Sequence, residues 1–295
     1  MNGPWDVWSD CTPGCAAHAL PRIPATGVAR RSAAFAHRVR RALADGERMA
    51  DPVRLRAHAG GLLHALGIRL DSPGEGPGTL TSGGGPGTLL VVNHISWLDI
   101  PALLAVEPVT LLAKREVGGW PVVGGLARRA GTHFIDRTSP RGLPGAIGDL
   151  TGLLASGRSV AVFPQATTWC TADQGTFRRA TFQAALDAGA PVRPVTVEYT
   201  QRELPSTVAA FCGEDTFLGS LRRVLAARAL TIRVTAHPVL TTAGGEPGLD
   251  RRELAARAAR AVLGGRSPAA APVRGAAVRH TAVAAADVRD APAHV

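Results

Sequence analysis

Lysine is nearly missing from this chain: Lys114 stands alone among 33 basic residues, the rest being arginine. Cysteine is scarce too, four in 295 residues, which excludes a disulfide scaffold and makes a reducing compartment the expectation. Cys11-Thr-Pro-Gly-Cys15 with His18 sketches part of a metal site, but no second close pair follows in sequence. Structural zinc sites nearly always take four ligands, so the expectation is a turn in a leader and no metal. Aromatic residues make up only 4% of the chain and its arginines are dispersed. That argues against a nucleic-acid surface, where basic and aromatic side chains interleave. No stretch reaches the roughly 20 apolar residues of a membrane span. Residues 100–113 are broken by Glu107 and Pro108, 117–127 are short and glycine-rich, and 28–70 are interrupted by arginine, histidine and acids. The N-terminus lacks the apolar core of a secretory signal, so no export is expected. Gly118–Gly125 has no Gly-Lys-Ser/Thr ending, which removes a nucleotide P-loop, and there is no Gly-x-Ser-x-Gly elbow around Ser96.

What is present is ample apolar material, 45% hydrophobic against 19% charged, enough for a sizeable core. The net charge of +10 draws the chain toward anionic partners without choosing among them. Residues 1–27, with Pro4, Pro13, Pro21 and Pro24, read as an irregular leader. Residues 28–70 read as two amphipathic, basic helices suited to a membrane surface, and 71–87 as a Gly/Pro-rich linker. From 88 to 263 short apolar runs alternate with helical patterns. Strands are expected at 88–92, 109–112, 133–135, 160–163, 192–198 and 230–236. Helices are expected at 100–106, 122–130, 143–156, 177–188, 218–227 and 250–263. The fold class is therefore α/β, a mixed central sheet covered by helices, with an N-terminal helical segment. Residues 264–295 read as a disordered tail.

The chemistry concentrates in Leu89-Leu-Val-Val-Asn-His-Ile-Ser-Trp-Leu-Asp99, an apolar strand that runs straight into Asn93, His94, Ser96 and Asp99. The carboxyl end of a strand is where open α/β sheets present functional groups. If the chain turns into a helix just after His94, Asp99 can reach back to the imidazole. It then fixes the tautomer and stabilises the imidazolium, giving a general base without a protein nucleophile. The alternative is structural: His94 closes a strand and Asp99 caps the helix at 100–106.

Asn93-His-Ile-Ser-Trp-Leu-Asp99 resembles the first motif of the glycerolipid acyltransferases, the family of 1-acyl-glycerol-3-phosphate and lysophospholipid acyltransferases. Gly131-Thr-His-Phe-Ile-Asp-Arg137 resembles the second, Phe163-Pro-Gln-Ala-Thr-Thr168 the third and Val192-Arg-Pro-Val195 the fourth, in the family's order. Ala113-Lys-Arg-Glu116 resembles a basic link between the first two. The resemblance implies acyl transfer from acyl-CoA or acyl carrier protein to the hydroxyl of a lysophospholipid-like acceptor, 1-acyl-glycerol-3-phosphate first. His94 and Asp99 are the implied catalytic pair. Asn93, Ser96, Lys114, Arg137, Gln165, Ala166, Thr167 and Pro194 are implied substrate-binding residues, with Arg137 meeting the acceptor's phosphate. No cofactor is implied beyond the thioester co-substrate, and the location implied is peripheral, on the cytoplasmic side of the cell membrane. Gln165 and Ala166 stand where the family has glutamate and glycine, which leaves room for a lyso-aminolipid or other acceptor. A non-catalytic lipid-binding protein on the same fold is the remaining alternative.

Overall fold

The computed structural model describes residues 9–16, 21–72, 78–119, 123–135, 142–242 and 249–264, with backbone alone at 114 and 116. The sheet strands are β1 (Arg69–Asp71), β2 (Leu89–Val92), β3 (Thr110–Lys114), β4 (His133–Ile135), β5 (Val160–Val162), β6 (Val192–Gln201), β7 (Leu204–Pro205) and β8 (Leu230–Ala236). The helices are α1 (Ala25–Asp45), α2 (Pro52–Ala65), α3 (Asp99–Val106), α4 (Arg115–Gly118), α5 (Val123–Arg129), α6 (Leu143–Ala155), α7 (Ala180–Asp187), α8 (Phe217–Ala226) and α9 (Arg251–Gly264). The strands form one sheet in the order β1-β8-β6-β2-β5-β3-β4, with β7 on β6. β2 lies at its centre, parallel to both β5 and β6, while β6 and β8 run antiparallel. This is the mixed sheet that the alternating pattern predicts.

β2 explains why the core has two halves. All four of its residues are buried, and because side chains alternate across a strand, Leu90 and Val92 enter one apolar cluster while Leu89 and Val91 enter the other. The first cluster is completed by residues of α2, α3 and α8, the second by residues of α6, α7 and α9. The result is a helix–sheet–helix sandwich, the usual solution for a strand that is apolar on both faces.

The N-terminal helices share this core. Leu55, Ala59, Leu63 and Leu66 lie in the cluster that holds Leu90 and Val92, with Val28 and Phe35 of α1 packed against it. β1 then joins the sheet edge, with Leu70 opposite Ile232. The stretch read as a separate segment thus contributes a layer and a strand to the same body. The last part of the expected linker is also held in place. Glu107, buried at the end of α3, accepts from the backbone amides of Gly78, Leu80 and Thr81 (3.0, 2.6 and 3.2 Å) and from the Thr81 hydroxyl (2.6 Å). Four donors around one carboxylate make its burial tolerable. Residues 73–77 and 265–295, where the rest of the linker and the tail were expected, lie outside the described residues.

Candidate active site

β2 stops at Val92, and its neighbour β6 does not. Past the last paired register, Val92 with Val195, β6 continues to Gln201, so a ledge of strand stands beside the loop that follows β2. Asn93 seals the junction. Its carboxamide donates to the Val197 carbonyl (2.9 Å) and accepts from the Val197 amide (2.7 Å), replacing the strand pairing that ends there. Asn93 is fully buried, and in this arrangement its carboxamide is engaged with backbone.

The loop then wraps around Asp99, the first residue of α3. Asp99 Oδ2 accepts from His94 Nδ1 (2.8 Å) and from the amides of Ile95 (2.8 Å) and Ser96 (3.0 Å). Its Oδ1 accepts from the Tyr199 hydroxyl at 2.5 Å. The carboxylate has no solvent exposure, and it turns back to the loop rather than forward to cap its helix. The pairing expected from spacing is therefore realised. Because the Nδ1–H donates to the Asp99 carboxylate, Nε2 is the basic nitrogen. Among the described residues nothing hydrogen-bonds Nε2, and the imidazole is 21% exposed. Beneath it lies Phe163, ring centroids 4.1 Å apart and planes inclined at 22°, a face that favours a cationic ring.

Tyr199, the only tyrosine of the chain, is the functional residue that sequence reasoning missed. Burial, followed by the Asp99 charge, holds its hydroxyl well above the usual phenol range, so it remains a donor at any ordinary pH. The signal was present: Val195, Val197 and Tyr199 share one face of β6 by the two-residue period, but ending the strand at Glu198 hid it.

The third motif also departs from expectation. Gln165 is buried. Its Oε1 accepts from the His94 amide at 2.5 Å and its Nε2 donates to the Gln174 carbonyl. Gln165 thus clasps two loops together. Ala166 has φ +59°, the left-handed region in which a β-carbon is unfavourable. Thr167 is partly exposed. The Thr168 hydroxyl donates to the Phe211 carbonyl, and the Trp169 amide to the His94 carbonyl at 2.8 Å. Ser96 is fully buried, its hydroxyl accepting from the Leu98 amide at 3.3 Å, which is a helix-entry role. Pro194 is buried in β6 opposite Val91. Arg137 lies outside the described residues, as does the side chain of Lys114. A surface groove of about 420 Å³ is lined by residues of α2 with Ile68, Leu70 and Ala105, none of which belongs to the His94 constellation.

Residues 76–198 match the family model described as Acyltransferase. The chain is 41% identical over 175 residues to the lyso-ornithine lipid O-acyltransferase of Pseudomonas aeruginosa, covering 59% of this chain and 66% of that protein. It is 37% identical over 148 residues to the 1-acyl-sn-glycerol-3-phosphate acyltransferase of Neisseria meningitidis, covering 50% of this chain and 58% of that one. The chain thus spans 66% and 58% of the length of these two relatives. In fold it is similar to the crystal structure of the 1-acyl-sn-glycerophosphate acyltransferase PlsC of Thermotoga maritima, with a TM-score of 0.57 at 18% identity over 81% of this chain and 93% of that one.

Proposed function

We propose, from the match of residues 76–198 to the Acyltransferase family model, that the protein moves a fatty acyl group from a thioester, acyl-CoA or acyl carrier protein, to the hydroxyl of a lysolipid. His94 Nε2 takes the hydroxyl proton as the oxygen attacks the thioester carbonyl. Asp99 holds the imidazolium that forms, and Phe163 supports its charge. As the tetrahedral intermediate collapses, the carbon–sulfur bond breaks and His94 returns the proton to the departing thiolate. The ester and a free thiol result, with no group left on the protein. The observation that carries this reading is the buried Asp99 carboxylate oriented on His94 with Nε2 left open at the end of β2.

Two acceptors come from the relatives. We favour lyso-ornithine lipid over 1-acyl-glycerol-3-phosphate, because the similarity to the protein named for it is both higher and longer. Arg137, read from its motif, would meet the acceptor's anionic group. We also propose peripheral attachment to the cytoplasmic face of the membrane. Among the described residues no helix is long and apolar enough to cross one.

The test is acyl transfer by the purified protein, with lyso-ornithine lipid and 1-acyl-glycerol-3-phosphate as acceptors and each thioester as donor. Ester formation that disappears in folded His94→Ala is expected. Near wild-type turnover by that variant would overturn the mechanism.

A further inference from the structure

Three of the four cysteines of the chain meet in one place outside the His94 constellation. Cys11 and Cys15 bracket a short 3-10 turn, Pro13–Cys15, closed by the Cys15 amide on the Thr12 carbonyl (2.9 Å). Cys170 follows the third motif. The sulfurs of Cys11, Cys15 and Cys170 all lie within 4.8 Å of one another, and Cys212, on the loop before α8, is not part of this set. Cys11 and Cys170, 159 residues apart in sequence, are at 3.4 Å, a non-bonded distance. Cys11 and Cys212 are buried, Cys170 is partly so and Cys15 is exposed.

The sequence holds the first pair, and the fold supplies Cys170. Tetrahedral zinc with Zn–S bonds of about 2.3 Å places its sulfurs about 3.8 Å apart, compatible with three sulfurs that all lie within 4.8 Å of one another. A Cys-x3-Cys pair on a tight turn suits the spacing of such sites. The Cys170 amide points at the Cys11 sulfur at 3.4 Å, the kind of outer donor that supports a thiolate ligand. The Gln174 carboxamide faces both sulfurs, with Oε1 at 3.2 Å from Cys11 and 3.5 Å from Cys170. Turned over, it gives them a second N–H donor.

We propose that Cys11, Cys15 and Cys170 bind one zinc(II) ion through three thiolates, with water in the fourth tetrahedral position. Each thiol loses its proton to solvent as its Zn–S bond forms, and no electron moves. The ion takes no part in acyl transfer. It pins residues 9–16 to the loop whose Trp169 amide donates to the His94 carbonyl.

The experiment uses the full chain, purified under reductant and dialysed against zinc(II), with metal counted by plasma mass spectrometry and thiols by a chromogenic disulfide reagent. About one zinc per chain is expected, with thiols that react only after a chelator is added, and cobalt(II) in its place should give the intense visible bands of a tetrahedral thiolate complex. Cys15→Ser, at the exposed ligand, should remain folded by circular dichroism and lose at least about tenfold in zinc affinity, the scale of a missing ligand. A wild-type chain that holds no zinc and shows four freely reacting thiols would overturn the proposal. So would two thiols that appear only after reduction, the mark of a Cys11–Cys170 disulfide. Unchanged zinc affinity in both Cys15→Ser and Cys170→Ser would overturn the three-thiolate set.

Discussion

Asp99 gathers four donors on a carboxylate that has no access to water, and each constrains where His94 sits. Tyr199→Phe removes the one on Oδ1. A lost hydrogen bond to a buried charge amounts to about 1.5–3 kcal/mol, so turnover should fall roughly tenfold or more while the Michaelis constant for the acceptor holds. An equal fall with a raised Michaelis constant would argue for a merely structural tyrosine, and steady-state kinetics on the folded variant separates the two. At Gln165 the expected outcome opposes a simple restoration of the family's glutamate. A carboxylate can accept from the His94 amide but cannot donate to the Gln174 carbonyl, so Gln165→Glu should lower stability by about 1–3 kcal/mol, read in denaturant melts. Ala166→Gly should raise it by about 1 kcal/mol, since it relieves a β-carbon at positive φ. The His94–Asp99 pair was legible because both partners lie within one short motif. Tyr199 was not, because its partner is 100 residues away and only the overrun of β6 joins them. The work of Gln165 and Asn93 was invisible for another reason: their partners are backbone atoms, which leave no trace in side-chain pattern.

The α1–α2 pair shows what amphipathic periodicity does and does not say. It marks which face is apolar, and Val28, Phe35, Leu55 and Leu63 do form that face. It does not say what covers the face, and here the sheet and α3 do so, leaving Arg30, Arg40 and Arg41 of α1 exposed. Strand and helix positions within 88–263 were largely legible, since each central strand is a short apolar run. β1 was not: three residues, Arg69–Asp71, carry no period to read, and its place is set by β8. At the far end of β8, His237 Nε2 lies 2.7 Å from the Thr196 hydroxyl, and burial holds the imidazole below its ordinary value. A depressed folded-state value means that the folded chain binds fewer protons than the unfolded one. Its neutral form carries no penalty above the ordinary imidazole range, and stability is lost as pH falls through that range toward the folded value. Melting temperatures taken from neutral to mildly acidic pH should therefore fall, and fall less in His237→Gln. An equal fall in both would place the titration elsewhere.

At the scale of the whole molecule, the net charge of +10 and an apolar helix face already used inside the protein imply that the membrane attachment proposed above would be chiefly electrostatic. Binding to vesicles containing anionic phospholipid should weaken sharply as salt shortens the Debye length. The combined substitution Arg30→Glu, Arg40→Glu and Arg41→Glu should weaken it at low salt too. Co-sedimentation that ignores both salt and these charges would mean that apolar insertion dominates. The edge position of β1 also sets an order of events during synthesis. β1 pairs with β8, and Asp71 meets Arg233 at 2.8 Å across 162 residues of chain. A growing polypeptide therefore carries α1, α2 and an unpartnered strand for most of its translation, and the sheet edge closes only when residues 230–236 have emerged from the ribosome. Such long-range closure is slow and leaves apolar surface open to wrong partners in the meantime. Nascent chains halted before residue 230 should be the ones that ribosome-associated chaperones retain.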